Sequence, residues 1–88
     1  MTRAEFQRIA RALSDPRRFE ILKTIATDES AACSDLRAKF PITAATLSHH
    51  LKELDSCGLI EATRNGKFIH LTFLRPIWDA YLKELKSL

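Results

Sequence analysis

Residues 43–58, in the middle of the chain, constrain the fold more than any other stretch. Leu47, Leu51 and Leu54 recur at spacings of four and three residues, which places them on one stripe of an α-helix. Thr43 precedes the stripe and suits an N-cap, because its hydroxyl can accept a hydrogen bond from a first-turn amide. Gly58 follows it and can adopt the left-handed conformation that ends a helix. The stretch therefore predicts a helix over residues 43–57 with one buried face.

The remaining faces of this predicted helix carry small or polar side chains. A low-relief face next to the positive end of the helix dipole can enter the major groove of DNA. The same pattern is typical of an ordinary amphipathic surface helix, so both interpretations stay open at this point. His50 lies beside the leucine stripe, and we expect its ring to be partly buried and bonded to a nearby carbonyl. The candidate DNA-contacting side chains of this helix are Thr43, Ala44, Ala45, Thr46, Ser48, His49 and Lys52.

A β-hairpin is predicted immediately after this helix. Asn65-Gly66 separates two extended segments, which is the strongest short-range hairpin signal, and we expect positive φ at both residues. Arg64 and Lys67 flank the turn and are candidate phosphate contacts. A helix followed at once by a hairpin with a basic tip is typical of a winged helix-turn-helix. In that arrangement the helix enters the major groove, and the wing, here residues 60–73, contacts flanking DNA.

Most of the remaining chain is predicted to be helical. Ala31-Ala32 is expected to form a short extended segment between two of them. The predicted fold is mainly α with a small β-hairpin wing, an α+β winged helix-turn-helix in the order helix-helix-helix-helix-strand-strand-helix, forming one domain over residues 1–88. Apolar spacing predicts the other helices over residues 2–13, 16–26, 33–40 and 76–86.

The start of the second helix carries its own signals. Asp15 followed by Pro16 predicts an N-cap and a first helical residue. Phe19 is expected to be buried by this helix. Arg17 and Arg18 lie in the first turn, where the helix dipole disfavours cations. That local cost indicates another partner for the two arginines, and we take phosphate as the candidate.

Composition restricts the class of protein. A formal net charge of +3 and a pI near 9.1 fit a polyanionic partner without establishing one. Two cysteines do not make a disulfide framework, and residues 1–6 carry charges where a signal peptide needs an apolar run. No stretch approaches the ~20 apolar residues of a membrane span. We therefore expect a soluble cytoplasmic protein, and no catalytic group is assembled that would indicate an enzyme.

Three segments, in the same order, resemble the ArsR-type family of bacterial winged helix-turn-helix transcription factors. They are ALSDPRRFEIL at residues 12–22, LSHHLKEL at 47–54, and CGLI at 57–60 continuing into the basic hairpin. The resemblance implies a homodimer built from the first and last helices that binds double-stranded DNA and represses transcription. The residues expected at that dimer interface are Phe6, Ile9, Leu13, Trp78, Tyr81, Leu82 and Leu85.

The chain departs from the family where metal sensors carry their ligands. Metal-sensing members have a C-x-C pair at the start of the third helix, whereas here Cys33 stands alone between Ala32 and Ser34. One thiolate cannot supply the several soft ligands that a thiophilic ion needs, so we expect no metal and no cofactor. Cys33 near a helix N-terminus keeps a redox-responsive repressor as one alternative. A winged-helix module that binds protein rather than DNA is the other.

Overall fold

Eight secondary-structure elements follow one another along the chain, and the computed structural model describes all of residues 1–88. The predicted order of helices and wing strands is confirmed, with one addition. The expected extended segment at Ala31-Ala32 is a strand that pairs antiparallel with the second wing strand, which becomes the central strand of a three-stranded sheet. The elements are α1 (Arg3–Leu13), α2 (Pro16–Thr27), β1 (Ser30–Ala32), α3 (Cys33–Lys39), α4 (Ala44–Ser56), β2 (Ile60–Asn65), β3 (Phe68–Phe73) and α5 (Arg75–Lys86).

Three helices begin at side chains that satisfy first-turn amides. The Asp15 carboxylate and the Thr43 hydroxyl cap α2 and α4 as predicted, and Thr43 Oγ1 accepts a hydrogen bond from the Thr46 amide at 3.1 Å. At α1, Thr2 and Glu5 form a reciprocal capping box, in which the Glu5 amide donates to Thr2 Oγ1 and the Thr2 amide donates to Glu5 Oε1. These caps fix where each helix starts.

The hydrophobic core forms where α1, α2 and α4 pack on one another and on the sheet. The predicted leucine stripe of α4 is buried, and Gly58, with φ +86°, ends the helix as expected. Burial of the stripe turns the opposite face of α4 toward solvent. The core consists of Ile9, Ala12, Ile21, Leu22, Ile25, Leu36, Leu47, Leu51, Leu54, Leu59, Ile60, Leu71, Phe73 and Tyr81.

The buried face of α2 differs from the prediction. Phe19 is 40% exposed, whereas Arg18 and Ile21 are buried. The inward stripe runs through Arg18, Ile21, Leu22 and Ile25. Its start at Arg18 was not predicted, because arginine is normally a surface residue. An arginine can bury its aliphatic stem while its guanidinium finds a polar partner.

The turn of the wing is shifted by one residue from the prediction. Asn65 pairs with Phe68 as the last residue of β2, so the two turn residues are Gly66 and Lys67. Only Gly66 has positive φ, at +63°, as in hairpin turns that place glycine at the first central position. The expectation of positive φ at Asn65 was therefore wrong, and Lys67 lies at the tip itself.

Aromatic side chains join the two terminal helices. The rings of Phe6 on α1 and Tyr81 on α5 lie 5.0 Å apart between centroids, and Trp78 lies 6.1 Å from Tyr81 and 6.3 Å from Phe73. These contacts seat α5 against α1 and the end of the sheet. None of the helices combines the length and the apolar character that crossing a bilayer requires.

Candidate nucleic-acid interface

The N-cap and the exposed side chains of α4 include every residue proposed from the sequence for DNA contact by this helix. At 100° per residue, Ala45, Ser48, His49 and Lys52 lie opposite the buried leucine stripe. Thr43 Oγ1 also donates to Thr46 Oγ1 at 2.9 Å, so the two hydroxyls are coupled at the helix start. The side chains that are exposed in the structure are Thr43, Ala44, Ala45, Thr46, Ser48, His49 and Lys52.

The basic side chains around this face are free of carboxylate partners. The only ion pair in the chain joins Arg75 and Glu29, and neither residue belongs to α4 or to the wing. Lys52, Arg64 and Lys67 are all exposed and carry no such pair. Unpaired surface cations keep their full charge available to a polyanion.

Arg17 is exposed and lies against the segment that leads into α4. Its guanidinium carbon is 5.8 Å from the centroid of the Phe40 ring, within the range of a cation–π contact. Phe40 ends α3, so this contact places the positive charge of Arg17 at the turn between the two helices of the helix-turn-helix. Arg17 therefore remains available as a phosphate contact.

Arg18 is buried, so its prediction as a phosphate contact is corrected. The side chain is 9% exposed, and its Nη1 donates to the carbonyl oxygen of Ala12 at 3.1 Å, while Nε has no hydrogen-bond partner. The guanidinium thus ties the end of α1 to the start of α2 from inside the protein. The guanidinium is therefore held inside the protein by the hydrogen bond to Ala12 and is not presented to DNA.

His50 is buried on the inner side of α4, as expected, but its ring lacks the predicted hydrogen bond to a carbonyl. The ring is 6% exposed and Nδ1 has no hydrogen-bond partner. Burial lowers the pKa of His50 below its ordinary value, and the neighbouring Arg18 charge lowers it further, against an opposing effect of the Asp15 carboxylate. His50 is therefore a neutral packing residue, whereas His49, one position away, is exposed.

The wing also carries an exposed aromatic residue that was not predicted from the sequence as a DNA contact. Phe68 is 69% exposed at the first position of β3, directly after the turn. The strand alternates, with Leu71 and Phe73 buried and Phe68 and His70 on the outer side. The sequence pattern could have predicted this exposure, because a strand whose odd-numbered residues face the core must place Phe68 on its outer side.

The residues expected at a dimer interface divide into two groups. Ile9 and Tyr81 are 0% and 7% exposed within the single chain, so they belong to its own core, which corrects their prediction as interface residues. Phe6, Leu13, Trp78 and Leu82 are half-buried, and Leu85 is exposed. On α5, Trp78, Leu82 and Leu85 follow spacings of four and three and form one apolar stripe.

The two free cysteines, Cys33 and Cys57, belong to no cluster of metal-ligating side chains within the single chain. No group of three or more His, Cys, Asp or Glu side chains lies close enough to share an ion. Cys33 begins α3 and is half-buried, and Cys57 is the C-cap of α4, where its Sγ donates to the Leu54 carbonyl at 3.3 Å. Burial raises the pKa of the Cys57 thiol, so it is held in the protonated form.

Comparison with known proteins decides the family. The family model described as a helix-turn-helix domain matches residues 13–62. An arsenical resistance operon repressor of Staphylococcus xylosus is 41% identical over 66 residues, covering 75% of this chain and 62% of the relative. This chain belongs to the ArsR-type family. A cadmium resistance transcriptional regulatory protein of Listeria innocua is similar at 29% identity, over 83% of this chain and 60% of that protein.

Solved structures agree with this ArsR-type assignment. An ArsR-like transcriptional regulator from Rhodococcus superposes with a TM-score of 0.84 at 28% identity, covering 96% of this chain and 78% of that one. A homodimeric winged helix-turn-helix DNA-binding domain from Mycobacterium bovis gives 0.77 at 24% identity, over 96% of this chain and 79% of that one, and shares the fold. The chain spans about 60% of the length of the curated relatives it matches.

Proposed function

We propose that this ArsR-type protein is a homodimeric, sequence-specific DNA-binding repressor of transcription that acts in the cytoplasm and catalyses no reaction. Residues 43–57 would lie in the major groove, and the wing, residues 60–73, would contact flanking DNA. The observation that supports this most is the outward face of α4, which is exposed along its whole polar side while its leucine stripe is buried. It is followed by a wing whose cations have no carboxylate partner.

Each part of the α4 face would make a different contact. Thr46, Ser48 and His49 offer hydrogen-bonding groups to base edges, and Lys52 offers a charge to phosphate. Ala44 and Ala45 have only methyl groups, which can contact the methyl of thymine and allow a close approach. Base reading would then depend on few hydrogen bonds, with DNA shape contributing to the preference.

The wing and Arg17 would hold the protein on the backbone. Arg17, Arg64 and Lys67 are exposed and are the proposed phosphate contacts. Phe68, beside the tip, would place its ring against sugar or base edges in the minor groove, where apolar side chains are used as wedges. These contacts would fix the register of α4 without themselves selecting a sequence.

Dimerisation would cover the apolar stripe of α5. Trp78, Leu82 and Leu85 leave apolar surface that the core of one chain does not cover. The half-buried Phe6 and Leu13 of α1 would extend this dimer surface. Residues 1–88 would act as one domain whose terminal helices pair with those of a second copy. The two α4 helices must then lie about 34 Å apart to read successive major grooves.

The proposal is tested by fluorescence anisotropy with DNA from upstream of the protein's own gene against scrambled DNA, at two salt concentrations. We expect a preference of ~10³-fold or more and a steep loss of affinity with salt. Weak, equal binding to both DNAs would argue against specific repression. Salt-insensitive binding to a protein in place of DNA would favour the interaction-module alternative.

A further inference from the structure

An apolar groove lies between α2, the end of β3 and the start of α5. Its walls are aromatic, formed by Phe19, Phe73 and Trp78, and its floor includes Leu22 and Ala26. The groove has a volume of about 140 Å³, and nearly all of its lining is apolar. None of its lining residues belongs to α4 or to the wing tip, and none is a proposed DNA contact.

Two cations border this groove. Arg75 is held over the aromatic wall, because its Nη2 is 2.9 Å from Glu29 Oε1 and its guanidinium carbon is 5.1 Å from the centroid of Phe73. Lys23 lines the groove and has no carboxylate partner. The positive charge of Lys23 at the edge of an apolar slot is therefore uncompensated within the chain.

We propose that this groove binds a small aromatic carboxylate. A cavity of about 150 Å³ lined by Leu, Ile and Phe holds one benzene ring, and the present volume of about 140 Å³ is similar. The ring would pack against Phe19 and Trp78 in the offset or edge-on geometries that aromatic pairs prefer, and the carboxylate would face the Lys23 ammonium. The position requires an apolar body and one negative charge, which defines the ligand class.

A second copy of the chain fits this groove less well. Trp78 belongs both to the groove and to the apolar stripe of α5, but Leu82 and Leu85, the rest of that stripe, do not line the groove. An apolar surface laid over the groove would supply no counter-charge for the exposed Lys23 ammonium at its edge. An anionic ligand supplies the missing charge. The inference is independent of DNA binding, because it rests on the groove alone.

The test uses the protein's single tryptophan as the probe. Sodium benzoate is titrated into the full chain while the indole N–H resonance of Trp78 is followed by NMR, with neutral benzamide as the comparison ligand. We expect a saturable shift with an affinity in the millimolar range for so small a ligand. Lys23→Met should weaken benzoate about fivefold and remove its preference over benzamide. Lys83→Met, an exposed lysine of α5 outside the groove, should leave both unchanged.

Phe19→Ala separates the ligand site from other uses of the same groove. Phe19 is exposed, so its truncation should leave the fold intact and weaken benzoate and benzamide together. No saturable shift in the wild-type protein would overturn the proposal, as would equal binding of benzoate and benzamide. If Phe19→Ala instead weakens self-association in sedimentation and leaves benzoate affinity unchanged, a second copy occupies the groove and the proposal is wrong.

Discussion

Thr43 serves the fold and, in our proposal, the DNA contact, and its removal gives the sharpest prediction. Its Oγ1 accepts from the Thr46 amide at 3.1 Å and donates to Thr46 Oγ1 at 2.9 Å. Thr43→Ala removes the N-cap of α4, which costs about 1 kcal/mol. For a domain of 88 residues that loss lowers Tm by roughly 4–8 °C. Thermal unfolding followed by circular dichroism measures it, and Thr43→Ser should retain most of the stability.

The matched control is Thr2→Ala, which removes the equivalent cap from α1. Thr2 Oγ1 accepts from the Glu5 amide at 3.1 Å, so the two variants should lose similar stability. Only Thr43→Ala should also weaken operator binding in anisotropy at a temperature where both variants are folded. A Thr43→Ala protein as stable as wild type would refute the capping argument. Equal loss of DNA affinity in both variants would refute a local role for Thr43 in DNA contact.

Four further predictions concern the core, the dimer interface, the wing and a buried histidine. Leu54→Ala should lower the free energy of unfolding by about 2–5 kcal/mol in urea titrations, because the Leu54 side chain is 0% exposed. Leu85 is exposed, so Leu85→Ala should weaken dimerisation in sedimentation and have little effect on the folding of the monomer. Lys67→Ala should weaken binding similarly on all DNA sequences and reduce the salt slope by about one; a changed sequence preference would show base reading by the wing. The pKa of His50 is lowered in the folded protein, so the unfolded chain takes up a proton at a higher pH than the folded chain does. The free energy of unfolding is therefore highest above the ordinary histidine pKa near ~6.5, and it decreases as the pH falls from there toward the lowered pKa. Urea midpoints from pH 7.5 to 5.5 should fall less for His50→Gln than for wild type, and equal slopes would contradict the assignment.

Short-range signals made most of the fold predictable. The leucine stripe of α4, the Thr43 cap and Gly58 are all encoded within one stretch, and the structure confirms each of them. The exposed face of α4 followed from the same stripe, because a helix that buries one side must present the other. Exposure of Lys52 and His49 therefore needed no knowledge of the other helices.

The features that were not predicted from the sequence depend on tertiary packing or on strand register. Arg18 looks like a surface cation from its charge, and only the approach of α1 supplies the carbonyl of Ala12 that lets it be buried. Phe19 looks like a core residue from its size, but the stripe of α2 begins at Arg18 and leaves it outside. The wing turn moved by one residue because Asn65 pairs with Phe68, which the Asn-Gly signal alone does not fix.

The central claim is that α4 reads sequence in the major groove as part of a dimer, and selection of bound duplexes from random DNA tests it most directly. We expect enrichment of an inverted repeat whose half-sites are centred about 10 base pairs apart. His49→Ala should relax the base preference within each half-site and leave that spacing unchanged. A selection that enriches no sequence, under low-salt conditions where the wild-type protein remains folded, would contradict the claim.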